Sequence, residues 1–210
     1  MFDFFWGYRD LIIEILGVLT GLIYLYYSVN EKIELWIWGF LSSGFTFLSF
    51  FLANLYSEAF LQIYYLIISV YGWYIWKFGV SRDHTKKYLH IKRVSTSEWK
   101  QLIAVFLLLY GALLLLLIYA PALLGLGSSQ LPYLDGFCTA ASIVGTWMLS
   151  RKHLENWIVW IIVDALSVGI TLYKELYFYS FLFVIYTIVA ILGYMKWRDL
   201  SYNRVDKDEK

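Results

Sequence analysis

The 210-residue sequence has little charge and almost no cysteine. Charged residues make up 16% of the chain, against about 25% in ordinary soluble domains, whereas 60% of the residues are hydrophobic and 21% are aromatic. The net charge of +1 offers no basic surface to a nucleic acid, so no nucleic-acid partner is expected. The one cysteine, Cys138, permits no internal disulfide, and we expect an inert thiol in a helix core. The composition therefore predicts a membrane protein.

Sequence motifs of enzymes and metal proteins are also missing. There is no glycine-rich phosphate loop, no nucleophile elbow and no carboxylate pair placed for hydrolysis. The histidines His84, His90 and His153 fall in loops without the spacing of a metal site. We therefore predict neither an enzyme nor a metal or other cofactor. The N-terminus lacks a basic region followed by a small-residue cleavage site, so no removable signal peptide is expected.

Long apolar stretches predict seven membrane-spanning helices, each near the roughly 20 residues that a bilayer requires. The predicted spans are 11–28, 33–53, 58–78, 98–120, 133–150, 155–173 and 176–196. The fourth is expected to stop at Pro121, because proline breaks helices. A basic loop at 79–97 precedes it, a Gly-, Ser- and Pro-rich linker at 124–132 follows it, and a polar tail expected to fray covers 197–210.

Basic residues are concentrated on one side of the predicted membrane. Fifteen of the 17 Lys and Arg residues lie in or beside the first, third and fifth connections between spans and at the tail, and only Arg9 and Lys174 lie on the other side. By the positive-inside rule, the N-terminal segment 1–10 is predicted to be extracytoplasmic and the C-terminus cytoplasmic.

The second half of the chain repeats the first at a constant offset of 121 positions. Without a gap, this offset aligns Glu34 with Glu155, Trp36 with Trp157, Tyr65 with Tyr186, Gly72 with Gly193 and Trp76 with Trp197. Rare residues matched at one offset favour duplication over coincidence. We predict an all-α membrane protein in which two three-helix repeats, 11–78 and 133–196, are joined by the linker helix 98–120. In this 3+1+3 arrangement the repeats lie parallel, as in some transporters that hold substrate near the midplane where repeats meet.

The sixth predicted helix carries Trp157, Trp160, Asp164 and Ser167 on one face, at positions i, i+3, i+7 and i+10. A carboxylate at mid-membrane costs roughly 2.5–3.5 kcal/mol on insertion scales, so Asp164 should face protein or water rather than lipid. Two indoles and a carboxylate could receive a flat cationic or polar aromatic ligand. The alternative is a helix-packing seam with one satisfied polar residue.

At the offset of 121, this stripe corresponds on the second helix to Trp36, Gly39, Ser43 and Thr46. These side chains are smaller and carry hydroxyl groups, which predicts a polar wall that leaves more room. The third and seventh helices add Gln62, Tyr65 and Tyr186; for Gln62 an interhelical hydrogen bond is an equal alternative. The predicted substrate-binding set is Trp157, Trp160, Asp164, Ser167, Trp36, Ser43, Thr46, Gln62, Tyr65 and Tyr186. Two acidic residues near outer helix ends, Glu14 and Asp135, are assigned to interfacial solvation, with gating or attraction of cations as the alternative. Three glycines are assigned to close helix packing, with a hinge during alternating access as the alternative: Gly17, Gly21 and Gly145.

Several of these features together resemble the PnuC family of vitamin transporters. They are the run Glu155-Asn156-Trp157-x-x-Trp160, the helix end Gly72-Trp-Tyr-x-Trp76, the pair Leu61-Gln62 and the 3+1+3 arrangement. The resemblance spans about 11–199. It implies a fold related to the SWEET sugar transporters, location in the bacterial cytoplasmic membrane and facilitated diffusion of an unphosphorylated vitamin precursor, most often nicotinamide riboside. It also implies functional coupling to a cytoplasmic kinase that traps the product, without required contact. Family members also carry thiamine or riboflavin.

The side chains agree with a cationic substrate. Asp164 stands where the resemblance would place an amide, and a carboxylate suits the pyridinium of nicotinamide riboside and equally the thiazolium of thiamine. A phosphorylated ligand would need Lys or Arg at that depth, and the spans have none between their ends. A non-transporting scaffold and a sugar or amino-acid carrier remain alternatives. The sequence leaves ion coupling and homo-oligomerisation open.

Overall fold

The structure is a computed structural model that describes residues 8–53, 56–79, 89–124 and 130–208. Within these ranges the chain forms seven α-helices and no extended strand. The helices are α1 (Arg9–Val29), α2 (Leu35–Leu52), α3 (Tyr56–Phe78), α4 (Thr96–Leu124), α5 (Pro132–Ser150), α6 (Asn156–Tyr173) and α7 (Tyr177–Asp208). The predicted all-α fold class is confirmed. Parts of four predicted segments lie outside the described residues: 1–7, 80–88 with Arg82, Lys86 and Lys87, 125–129 and 209–210.

Six of these helices are long and apolar enough to cross a bilayer, and α5 is the exception. It has 19 residues, but small and hydroxylic side chains such as Thr139, Ser142 and Thr146 lower its hydropathy. Ten of its residues are buried. Such a helix is covered by protein on most of its surface, so it needs less apolar character than one that faces lipid.

Two helix ends differ from the sequence prediction. Helix α4 passes through Pro121 and ends at Leu124. Proline removes one backbone hydrogen bond, and α4 continues through this loss. Helix α7 continues to Asp208, so the expected frayed tail is wrong for 197–208. No glycine or proline interrupts that stretch, and Trp197 at its start is fully buried.

The chain divides into two compact units, 1–90 and 91–210. In the first unit α2 packs against both α1 and α3. In the second unit α4 packs against α5, α5 against α6, and α6 against α7. The helix predicted as a linker is therefore part of the second unit.

The backbone repeats at the same offset of 121 as the sequence. Helix α2 covers Leu35–Leu52 and helix α6 covers Asn156–Tyr173, so both ends correspond. The starts of α3 and α7, at Tyr56 and Tyr177, correspond as well. Each turn before the second helix of the repeat contains one residue in the left-handed region, Glu31 (φ 53°) and Lys152 (φ 55°). The duplication inferred from side chains therefore extends to helix ends and turns.

Each unit contains the same cluster of two tryptophans and a glycine, which we call the tryptophan layer. In the first unit Trp36 and Trp76 meet edge to face at 5.7 Å between ring centroids. A Cβ on Gly72 would clash with the Trp36 ring, so only glycine fits there. These edge-to-face contacts stabilise by about 0.5–1.5 kcal/mol beyond area burial.

The tryptophan layer of the second unit is built from the equivalent residues. Trp157 and Trp197 meet at 5.7 Å between centroids, and a Cβ on Gly193 would lie 2.6 Å from the Trp157 ring. The same residues on the same helices thus make the same contacts in both units. Close packing of α2 on α3, and of α6 on α7, explains this part of the repeat.

Candidate substrate site

Asp164 lies midway along α6 and is 6% exposed. Its carboxylate forms no hydrogen bond and no ion pair with any residue that the structure describes. The Cys138 thiol on α5 and the Tyr186 phenol on α7 are close enough to interact with it electrostatically. Both neighbours are neutral polar groups. No charged group in the described part of the second unit therefore compensates an ionised Asp164. A buried charge without a partner is strongly destabilising.

Hydroxyl groups continue the polar face of α6 from Asp164 toward its C-terminal end. The Ser167 hydroxyl donates to the Val163 carbonyl at 2.8 Å and lies within hydrogen-bonding reach of the Cys138 thiol. One turn further, the Thr171 hydroxyl lies 2.7 Å from the Ser180 hydroxyl of α7. Ser167 and Thr171 are 9% and 8% exposed. The predicted placement of Asp164 and Ser167 on one inward-facing surface is confirmed.

At the C-terminal end of α6, Lys174 forms an ion pair with Asp135 of α5. The Lys174 ammonium lies 3.1 and 3.2 Å from the two carboxylate oxygens of Asp135. The assignment of Asp135 to simple solvation is therefore wrong, whereas its repeat equivalent, Glu14, is exposed. Lys174 corresponds to Ala53 at the offset of 121, so the first unit lacks an equivalent pair at that position. Among the described residues no His, Cys, Asp and Glu side chains are grouped to hold a metal ion.

The two indoles of the predicted stripe lie in different environments. Trp157 is 3% exposed and is enclosed by the tryptophan layer of its unit. Trp160, one helical turn closer to Asp164, is only partly buried, and its Nε1 lies 3.6 Å from the Cβ position of Gly145. Trp36 of the first unit, like Trp157, is enclosed at 2% exposure. Packing accounts for the enclosed rings, and their ligand contact stays a prediction.

In the first unit the wall around Gly39 is less roomy than the sequence predicted. A Cβ on Gly39 would lie 3.0 Å from the ring of Tyr24 on α1. Tyr24 therefore fills the space that the absent side chain leaves. The Thr46 hydroxyl of α2 lies 3.3 Å from the Cβ position of Gly17 on α1. At the offset of 121 these two residues correspond to Ser167 and Cys138. The predicted close helix packing at Gly17 is confirmed.

Helical spacing on α2 and α6 does not point to Tyr24, because Tyr24 lies on α1. The offset of 121 places Tyr24 on Gly145 and Gly39 on Trp160. The first copy therefore has its aromatic residue on α1, and the second copy has its aromatic residue on α6. The sequence shows this exchange, but only the structure shows that Tyr24 of α1 contacts Gly39 of α2.

The other predicted site residues of the first unit lie on α2 and α3. Ser43 is buried at 9% exposure, and Thr46, Gln62 and Tyr65 are partly buried. Gln62 forms no hydrogen bond with the described part of the chain, so the interhelical bond considered as its alternative role is not made there. The Tyr65 ring lies 5.4 Å from that of Tyr64. In the second unit Tyr186 lies near Asp164 and packs against Phe183, with 6.0 Å between centroids.

Comparison with known proteins agrees on one family. The profile of the family described as "Nicotinamide mononucleotide transporter" matches residues 11–199. The nicotinamide riboside transporter PnuC of Escherichia coli (strain K12) is 25% identical over 216 residues, covering 94% of this chain and 90% of that protein. The riboflavin/roseoflavin transporter RibM of Streptomyces davaonensis is 26% identical over 199 residues, covering 94% and 87%. A crystal structure of the vitamin B3 transporter PnuC has the same fold, with a TM-score of 0.67 at 20% identity over 96% of this chain and 86% of that one.

Proposed function

Because the chain belongs to the family described as nicotinamide mononucleotide transporters, we propose that it is a facilitative transporter that takes up nicotinamide riboside, the unphosphorylated precursor of vitamin B3. Family membership confirms the predicted class, a multi-pass membrane transporter rather than an enzyme. The substrate, the driving force and the orientation are parts of the proposal.

The observation that carries the substrate proposal is the buried carboxylate of Asp164, which lacks a partner among the described residues. A cationic ligand would supply the missing positive charge. Trp160, one turn away on the same face of α6, offers an indole that attracts a flat cation by roughly 0.5–2 kcal/mol. The pyridinium ring of nicotinamide riboside is flat and cationic, so one ligand would satisfy both side chains.

The absence of deep basic residues favours the riboside over the mononucleotide. A phosphate needs charge-assisted hydrogen bonds from Lys or Arg, and neither residue occurs within α2 or α6. Lys174, just beyond α6, is already paired with Asp135. The relatives named PnuC are described as nicotinamide riboside transporters, which supports the same choice.

Two other vitamins are the alternatives in this class. Thiamine has a cationic thiazolium that Asp164 could neutralise. Riboflavin, which appears in the name of RibM, is a larger neutral ring system and gives no role to the carboxylate. The non-transporting scaffold is disfavoured by the family, and the sugar or amino-acid carrier by the indole and carboxylate.

Accumulation is proposed to depend on a cytoplasmic kinase. A facilitative transporter only equalises concentrations, so phosphorylation of the riboside inside the cell would make uptake continue. The kinase needs no contact with the transporter, and its phosphorylated product would not return because α2 and α6 carry no Lys or Arg to bind a phosphate. The proposed setting is the bacterial cytoplasmic membrane, with the N-terminus outside.

A binding screen and an uptake assay test these proposals. We expect nicotinamide riboside to raise the melting temperature of the detergent-solubilised protein, since a ligand at 100 times its Kd stabilises by about 2.7 kcal/mol. Nicotinamide mononucleotide should give no shift. Proteoliposomes that enclose a riboside kinase and ATP should accumulate label, and those without kinase should only equilibrate. A shift with riboflavin alone would replace the substrate, and a lack of uptake of every vitamin would favour the scaffold.

A further inference from the structure

No positive charge lies level with Asp164 in the described part of the second unit. Helix α6 packs against α5 and α7. Helix α5 contains no Lys or Arg, and the first basic residue of α7 is Lys196, ten residues beyond Tyr186. Lys174 follows Asp164 by ten residues and is paired with Asp135. Ten helical residues span about 15 Å, so neither ammonium group is level with the Asp164 carboxylate.

The groups near Asp164 that can titrate add no positive charge either. The Cys138 thiol on α5 and the Tyr186 phenol on α7 interact with its carboxyl group electrostatically. A thiol and a phenol are ordinarily neutral near pH 7, and each becomes negative on losing its proton. Asp135, one turn before Cys138 on α5, carries a negative charge that Lys174 neutralises. An ionised Asp164 would therefore lack compensation among these neighbours.

Packing at this level of the repeat does not require a carboxyl group. At the offset of 121 the residue equivalent to Asp164 is Ser43, which is buried at 9% exposure. The neighbouring tyrosines Tyr65 and Tyr186 also correspond. A small neutral hydroxyl group thus serves in one unit where the other unit carries an acid. An ionisable residue at mid-membrane is costly to keep, so the acid needs a role beyond holding the helices together.

We propose that Asp164 holds a proton when the site is empty and that the cationic vitamin displaces this proton. The inference rests on the proposed function, in which Asp164 neutralises a pyridinium ring. In the empty site a proton on the carboxyl group removes a buried charge that has no partner. When the vitamin binds, the proton passes from the Asp164 carboxyl to water and the pyridinium replaces it. When the vitamin leaves, the carboxylate takes up a proton again, and no other bond forms or breaks.

The pH dependence of binding tests this exchange. The pyridinium of nicotinamide riboside carries a permanent charge, so a pH-dependent Kd reports on the protein. Measured by calorimetry in detergent from about pH 8 to about pH 6.5, the Kd should rise as the pH falls, approaching tenfold per unit for one displaced proton. Asp164→Asn cannot exchange a proton, so its weaker binding should be independent of pH. Asp199→Asn, at a side chain that is 65% exposed, is the matched control and should keep the pH dependence of the unmodified protein.

Two further measurements follow the proton itself. Binding enthalpies in phosphate and in Tris, which differ in their enthalpy of ionisation, give the number of protons released, and this number should approach one in the unmodified protein and zero in Asp164→Asn. In the ligand-free protein, infrared spectroscopy should show the carbonyl band of a protonated carboxyl group. That band should disappear on addition of nicotinamide riboside and should be missing in Asp164→Asn. If the melting temperature shows that Asp164→Asn is not folded, the proton count of the unmodified protein decides.

The outcomes distinguish this inference from the proposed function. If nicotinamide riboside binds with a Kd that is independent of pH and without proton release, the inference fails and the proposed function stands. A pH dependence that persists unchanged in a folded Asp164→Asn variant would also overturn the inference, because another group would then carry the proton. If the unmodified protein binds none of the three vitamins, the proposed function fails and the exchange fails with it.

Discussion

At the scale of single residues, identical side chains have different roles because their neighbours differ. Trp157 and Trp160 are one helical turn apart on α6. The first is enclosed by Trp197 and Gly193, and the second remains partly exposed, one turn from Asp164. Helical spacing places both on one face but does not show which of them a neighbouring helix covers. Contacts therefore separate a packing residue from a candidate binding residue.

The first residue-scale prediction concerns the charge at Asp164. Asp164→Asn keeps the size of the side chain and removes its charge, so the Kd for a cationic vitamin should rise at least roughly tenfold, since charge-assisted contacts are worth about 1.5–3 kcal/mol. Trp160→Ala should have a similar effect through the lost indole. Calorimetry measures both, with Asp10→Asn, an exposed carboxylate on α1, as control. Unchanged affinity in Asp164→Asn would remove this carboxylate from the site.

The second residue-scale prediction concerns the glycine of the tryptophan layer. Gly193→Ala forces a Cβ to within 2.6 Å of the Trp157 ring, and such overpacking costs about 1–3 kcal/mol. The melting temperature should fall by several degrees. Gly169→Ala on α6 meets nothing within 4 Å and should leave it unchanged or slightly raised. Equal melting temperatures for the two variants would contradict the close packing of α6 on α7.

At the scale of elements, the start of α4 is tied to the turn between α5 and α6. The Lys92 N–H donates to the Lys152 carbonyl at 3.0 Å, and the Leu154 N–H donates to the Lys92 carbonyl at 2.9 Å. Ser95 and Glu98 form a capping box, in which the Ser95 N–H donates to the Glu98 carboxylate at 2.9 Å and the Glu98 N–H donates to the Ser95 hydroxyl at 3.3 Å. These bonds join α4 to the second unit through its N-terminus as well as through its packing on α5.

His153 lies in this turn and makes its stability depend on pH. The side chain is 5% exposed, and its Nε2 lies 3.7 Å from a Glu98 carboxylate oxygen. Burial, together with the positive charge of Lys92, lowers the pKa of His153 to about 4, against the opposing effect of Glu98. Folding therefore favours the neutral imidazole, and the unfolded chain, with an ordinary pKa near 6.5, takes up the proton first.

The element-scale prediction follows from the lowered pKa of His153 in the folded protein. The contribution of neutral His153 to stability is complete above about pH 6.5 and is lost progressively as the pH falls toward 4. Melting temperatures measured across that range should decrease on acidification, and His153→Leu should make the decrease shallower. An identical slope in His153→Leu would show that other groups cause the pH dependence.

At the scale of the whole molecule, two units built on one plan carry different chemistry. Helix ends, turns and the tryptophan layer repeat at the offset of 121. Asp164 corresponds to Ser43, and the Asp135–Lys174 pair corresponds to Glu14 and Ala53. The shared parts are those that hold a unit together. The differing parts are polar, and we propose that they serve the ligand.

The whole-molecule prediction concerns orientation in the membrane. Because 15 of the 17 basic residues lie on one side of the predicted spans, that side should be cytoplasmic. Green fluorescent protein fused to the C-terminus should fluoresce, and alkaline phosphatase fused there should be inactive. A fusion after residue 128, in the linker on the opposite side, should give the reverse pattern. An active phosphatase at the C-terminus would contradict the predicted orientation.

The sequence by itself determined the membrane class, the seven helices and the duplication. These properties depend on the composition of short stretches and on residue spacing, and both are local. Even so, spacing did not show that α4 continues past Pro121 or that α7 reaches Asp208. In α4 the breaking signal of Pro121 did not end the helix. In α7 the polar composition of 197–208 suggested a frayed tail, although the stretch has no glycine or proline to interrupt a helix.

Only the tertiary structure decided which side chains face one another. It placed Tyr24 against Gly39, enclosed Trp157 next to Trp197 and paired Asp135 with Lys174. Each contact joins two helices, and helical periodicity gives the face of one helix but not the register and angle at which another crosses it. The candidate site was therefore only partly predictable, because the sequence identified the stripe on α6 and the packing between helices decided which of its residues stay accessible.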